Sequence, residues 1–164
     1  MRTAKSTLPL GNVTAFSQME YTGSPILLSN TIKSYKSWFT GLRPNEFKTA
    51  RIVDKFIIAI NSKRKNKKIE YKKIPISPML QPYLANIDSL DMLGTYQMRD
   101  VMKSILPNHK LYDLRTTFYS RCKECGVAES ALKEFMGHSL GALGEAYTDL
   151  SDEYLLKEGA KLKY

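Results

Sequence analysis

Four side chains stand in a chemically suggestive order: Arg43 in TGLRPNEF, Arg115 in LYDLRTTF, His138 in FMGHS, and Tyr147 nine residues further on. A guanidinium is permanently protonated and presents a fork of donors that fits a phosphate. A phenol can act as a nucleophile, and an imidazole can hydrogen-bond a phosphate or manage protons. Between the two arginines lies the densest basic stretch of the chain, NSKRKNKKIEYKK. Such a set could hold and attack a phosphodiester without a metal, with a lysine protonating the leaving oxygen.

These residues need elements to position them. Residues 1–27 are rich in Ser, Thr, Gly and Pro without a sustained period, and read as a linker or loosely packed lead-in. A helix is predicted from Ser29, a capping residue, through Ile32, Tyr35 and Trp38-Phe39 to Gly41. A second helix is predicted to open at Pro44, which would put Arg43 at a helix N-terminus. Lys55–Asn61 and Ile69–Ser77 are short and rich in Ile, Phe and Tyr, around an all-polar SKRKNKK. That pattern predicts a two-stranded hairpin with a basic tip. Helices are then predicted over Met79–Asn86, Thr95–Leu106, Asp113–Cys125, Ala128–Met136, Gly141–Asp149 and Ser151–Lys161. In the third of these, Leu114, Phe118, Cys122 and Cys125 share a face, with Asp113 as its cap. Gly126 and Gly137 stand where helices should stop.

Composition narrows the partner. The chain of 164 residues is 43% hydrophobic and 25% charged, as in a single globular domain. Its net charge of +9 points to a polyanion. The longest apolar run, Phe56–Ile60, is too short for a bilayer, and MRTAKSTLPLGNV has no signal-peptide core. A cytoplasmic protein without a membrane partner is expected. Cys122 and Cys125 form CKEC near a helix end, where neither a zinc site nor a low-pKa redox pair is favoured. Two packed, reduced thiols are expected.

TGLRPNEF, the basic hairpin, LYDLRTTF, GHS and the downstream tyrosine together resemble the catalytic domain of tyrosine recombinases, as in phage and conjugative-transposon integrases. The resemblance spans residues 28–164. It implies the DNA breaking-rejoining fold, mostly α with a small β-hairpin or sheet (α+β), and site-specific recombination or integration. In that reading Tyr147, chosen over Tyr154 by its distance from His138, attacks the phosphate. The products are a 3′-phosphotyrosyl bond and a free 5′-hydroxyl, so neither metal nor ATP is required. Arg43 and Arg115 clamp the phosphate, Glu46 orients Arg43, and His138 adds a further contact.

The resemblance places a general-acid lysine on the hairpin. Lys63, directly after the strand, aligns best, ahead of Lys65. The remaining basic residues, Arg64, Lys65, Lys67 and Lys68 with Lys72 and Lys73, are expected on double-stranded DNA. The tail, residues 151–164, is expected to dock on a neighbouring protomer on DNA, and the protein to work at the nucleoid. One position departs from the family pattern: Tyr112 stands where His-x-x-Arg has its histidine, and a phenol is a weak base near neutrality. His109 lies three residues earlier, at the wrong spacing. The lead-in is too short for the clamp domain that usually precedes this unit. Two other readings stay open: a type IB topoisomerase, and a DNA-binding remnant that no longer cleaves.

Overall fold

The computed structural model describes residues 39–63, 69–78, 80–81, 84, 95–105, 107–139 and 150–163. Among them lie three strands and four α-helices. The strands are β1 (Arg51–Val53), β2 (Phe56–Ile60) and β3 (Tyr71–Pro75). The helices are α1 (Thr95–Ile105), α2 (Leu111–Glu124), α3 (Glu129–Met136) and α4 (Asp152–Gly159). The fold is therefore α+β, with more helix than sheet.

The sheet is antiparallel in the order β1-β2-β3. The hairpin expected over residues 55–77 is β2–β3, and its register pairs Ile57 with Ile74 and Ala59 with Lys72. Paired residues share a face, and so do alternate residues along a strand. One face of the hairpin therefore carries Ile57, Ala59, Lys72 and Ile74, all buried. This face begins as apolar core and becomes polar at Lys72 and Asn61. Strand β1 was not expected. It is three residues long and exposed throughout, and joins β2 through Asp54, which takes φ 54°. Short, one-sided strands carry too little alternation to be read from sequence.

Helix α2 supplies the centre of the core. Leu114, Phe118 and Cys122 recur every fourth residue on its buried face, and Cys125 packs at the edge. The helix starts two residues before the expected Asp113. Asp113 caps it from inside the first turn, its Oδ2 accepting the Lys110 N–H at 2.9 Å. Phe118 packs with Leu42, Ile57, Leu132 and Phe135 in one cluster. Truncating such a buried ring costs about 3–5 kcal/mol. Gly126 and Gly137 end α2 and α3 in the left-handed region, at φ 71° and 61°. Helix α4 is capped by Ser151, whose hydroxyl accepts the Tyr154 N–H at 3.2 Å. It lies on its own chain's β3, with Leu155 buried and Gly159 against Pro75.

The helix expected from Pro44 is absent. A 3-10 turn, Glu46–Thr49, takes its place and passes through an extended Ala50 into β1. Within it the Glu46 side chain turns inward to bond the Arg43 N–H at 2.8 Å. Arg43 thus has no helix dipole behind it. Of the helix predicted from Ser29 only residues 39–40 are described, and they are helical up to Gly41. The helix expected over Gly141–Asp149 lies outside the described residues, as does most of Met79–Asn86.

Candidate active site

Three loop segments and one helix meet at the polar end of the hairpin. They are residues 41–43 before the 3-10 turn, 61–63 after β2, 136–138 at the end of α3, and the first turns of α2. Arg115 joins two of them from α2. Its Nη1 donates to the Gly41 carbonyl, and its Nη2 donates to the Met136 carbonyl at 2.6 Å. The residue is 2% exposed. Its buried Nε–H has no hydrogen-bond partner among the described residues. Gly41 must be glycine here: its φ is 61°, and a Cβ would meet the Phe118 ring.

Arg43 is buried as well, and Glu46 holds it. Its Nη1 donates to Glu46 Oε1 at 2.7 Å and to Asn61 Oδ1 at 3.3 Å. Glu46 also accepts from the Ser62 N–H at 3.0 Å and the Ser62 hydroxyl at 2.9 Å. The expectation that Glu46 orients Arg43 agrees with this geometry.

Lys72 is where the reading of the basic run must be corrected. It was expected on DNA, yet it is fully buried and donates its Nζ to Glu46 Oε2. Period two along β3 places it on the face of Ile74 and turns Lys73 away. That alternation was the available signal, hidden by the density of lysines around it. Lys73 is engaged too: it pairs with Asp152 of α4 and lies 4.5 Å from the Phe56 ring centre. Burial would raise the Glu46 carboxyl, but Lys72 and the backbone amides of Arg43 and Ser62 hold it down to about 2. Lys72 is pushed down to about 8 by burial, with Arg115 and Arg43 adding to the effect against Glu46.

His138 follows Gly137 and is exposed. Loss of solvent around its ring lowers its pKa first, and the charges of Arg115, Arg43, Lys63 and Lys72 lower it further. The ring is therefore neutral at pH 7, able to accept a proton or a hydrogen bond. The peptide before it accepts from Asn61, and Arg115 donates to the Met136 carbonyl two residues back, which sets the ring beside these cations. Burial, and then Arg43, lower the Arg115 guanidinium from its ordinary value, while Glu46 and then Tyr112 oppose that. Tyr112 itself is 59% exposed on the first turn of α2. His109 sits with its Nδ1 3.5 Å from Asp113, at the α2 start, and has no part in the cluster's hydrogen bonds described above.

The structure thus brings together Arg43, Lys63, Tyr112, Arg115 and His138, and adds Glu46, Asn61 and Lys72. Tyr147 and the hairpin-tip residues Arg64, Lys65, Lys67 and Lys68 lie outside the described residues. Cys122 and Cys125 are free thiols, and burial, with Cys125 alongside, pushes Cys122 up to about 12. An inert packing thiol results. Among the described residues no helix is long and apolar enough to cross a membrane.

A three-stranded antiparallel sheet backed by helices is a fold found in solved integrases. Two solved structures share it. The integrase from mycobacterium phage Brujita superposes with a TM-score of 0.68 and 13% identity, over 99% of this chain and 60% of that one. The Tn1549 transposon integrase, solved in complex with circular intermediate DNA, gives 0.61 and 15%, over 94% of this chain and 64% of that one. The chain spans about three fifths of the length of each. No protein-family model matches the chain, and no curated protein sequence does.

Proposed function

We propose that this chain is the catalytic unit of a site-specific recombinase that cuts and rejoins DNA through Tyr147. The observation that carries the proposal is that hydrogen bonds gather Arg43, Lys72, Arg115, Lys63 and the peptide before His138 at one end of the hairpin. Three buried cations, Arg43, Lys72 and Arg115, with the exposed Lys63 beside them suit a phosphodiester whose charge grows during attack.

In the proposed reaction the Tyr147 oxygen forms a bond to phosphorus, and the bond from phosphorus to the 5′-oxygen breaks. The phenol proton leaves to a base, for which neutral His138 is the suited group. The Lys63 ammonium gives a proton to the 5′-oxygen. Arg43 and Arg115 hold the non-bridging oxygens throughout. The reverse sequence rejoins the strand. Tyr112, an exposed phenol beside Arg115, adds a hydrogen bond and no strong base. Arg64, Lys65, Lys67 and Lys68 would follow the DNA backbone, and a tail exchanged between protomers would assemble the complex. The cytoplasm, at the nucleoid, is where such a protein works.

A nicked suicide duplex tests the proposal by trapping the covalent adduct. Wild type should form it, and Tyr147→Phe should not. An adduct that persists in Tyr147→Phe would overturn the nucleophile. Salt-sensitive DNA binding with no adduct would make the chain a binding remnant. Relaxation of supercoiled DNA by a monomer without site preference would point to the topoisomerase class.

A further inference from the structure

We infer that Asn61 is a positioning residue of this site, aligning the leaving-group lysine Lys63 with Arg43 and with the peptide that carries His138. The inference rests on the strand-cleavage reading above. A single buried amide makes all the connections. Its Oδ1 accepts from Arg43 Nη1 at 3.3 Å and from the Lys63 N–H at 3.2 Å. Its Nδ2 donates to the Gly137 carbonyl at 2.9 Å, across 76 residues of sequence. The N–H of that same Gly137–His138 peptide donates to the Lys133 carbonyl at 2.9 Å. The peptide in front of His138 is therefore held at both ends, once by its own helix and once by Asn61.

The sheet fixes the amide in turn. The Asn61 N–H donates to the Glu70 carbonyl at 2.8 Å, and the side chain continues the face of Ile57 and Ala59. At 4% exposure the amide is closed to water, so its partners are these protein groups. The chemistry requires an amide. It needs an acceptor with two lone pairs and a donor on the same small group. A carboxylate would keep the acceptor and lose the donor to Gly137. The close fit agrees: a Cβ on Gly137 would lie 2.9 Å from Asn61 Nδ2.

Two measurements on the full chain test the inference. The first compares adduct formation on a suicide duplex with an ordinary 5′-oxygen and on one with sulfur in its place. A thiolate leaves without a proton, so a defect in the Lys63 proton transfer disappears on the sulfur substrate. Asn61→Ala should slow the oxygen reaction by about tenfold to hundredfold, the scale of a misplaced catalytic group. The sulfur substrate should recover most of that loss, as it should for Lys63→Ala. No loss on oxygen, or an equal loss on both substrates, overturns the inference. The second records backbone amide shifts in 15N-labelled protein. Asn61→Ala should move Ser62–Lys63 and Gly137–His138 together, and a change confined to one segment overturns the inference whether or not the protein cleaves DNA. If wild type forms no adduct on either substrate while both segments move, the cleavage reading falls and the amide linkage stands. Should Asn61→Ala fail to fold, Asn61→Asp, which keeps the acceptor, takes its place: it should disturb Gly137–His138 and leave Lys63 in position, and the reverse pattern overturns the inference.

Discussion

Lys72 and Glu46 form an ion pair in which neither side chain is reached by solvent. The same carboxylate holds Arg43 and Ser62, so a residue of the sheet's core face supports the candidate phosphate clamp. Two charges removed from water are tolerated only when every lone pair and proton is satisfied. Here the arginine, the lysine and the backbone together satisfy Glu46.

Removing both partners should therefore cost less than the two separate removals added together. Glu46→Gln and Lys72→Met are each expected to lose about 3–5 kcal/mol, because each strands a buried charge. The double variant should be less destabilised than the sum of the singles, by a coupling of about 1–3 kcal/mol. Urea unfolding of the four proteins measures this. Additive losses would show that the pair is not a unit.

The acid side of stability should carry the mark of Glu46. Its folded value of about 2 lies below the ordinary 4.5. The contribution is complete above about 4.5 and is lost as the pH falls toward about 2. The gap in unfolding free energy between wild type and Glu46→Gln should narrow over that window. A gap independent of pH would mean the carboxylate titrates normally.

His138 should set the acid limb of adduct formation. Its pKa is lowered from 6.5, so the neutral form persists into mildly acid solution and the rate should fall only below that value. Lys72→Met removes one of the four nearby cations and should shift the limb upward. Titration of the His138 ring protons by NMR in both proteins checks the shift without relying on activity.

Gly137→Ala should damage both fold and site. The backbone is left-handed there, at φ 61°, and a Cβ would meet Lys72 and Asn61. The conformational penalty alone is about 1–2 kcal/mol. A melting curve should show a clear drop, and adduct formation should fall with it. An unchanged melting temperature would refute the packing described.

Arg115→Lys should not be conservative. An ammonium cannot reach the Gly41 and Met136 carbonyls and still offer a donor to an anion, as the guanidinium does. Adduct formation should drop by about 10²–10³-fold, the scale of a lost charge-stabilising donor. Activity close to wild type would show that the fork is dispensable.

Much of this architecture was legible in the chain. The hairpin announced itself through two apolar runs around a polar tip, and α2 through Leu114, Phe118 and Cys122 at helical spacing. Both are local periodicities, and local periodicity survives without knowledge of the partners. The Pro44 helix did not form because Glu46 had a stronger demand on it, from Arg43 and Lys72, than from helix propensity. Strand β1 escaped because three exposed residues carry almost no pattern. Lys72 and Lys73 read as one basic patch, although alternation sends one into the core and the other toward Asp152 and Phe56.

By itself the sequence determined the kinds of chemical group available: two arginines, a histidine, a lysine-rich hairpin and a tyrosine in order, with the apolar faces that bring them near one another. Those are properties of residue type and spacing. Only the tertiary structure decided which lysine enters the core, that Glu46 serves Arg43 and Lys72 at once, and that Asn61 joins Lys63 to Gly137. The physical reason is that a buried polar group must find its partners wherever the fold puts them. Asn61 and Gly137 are 76 residues apart, and only the packing of α3 against β3 sets them within hydrogen-bonding distance.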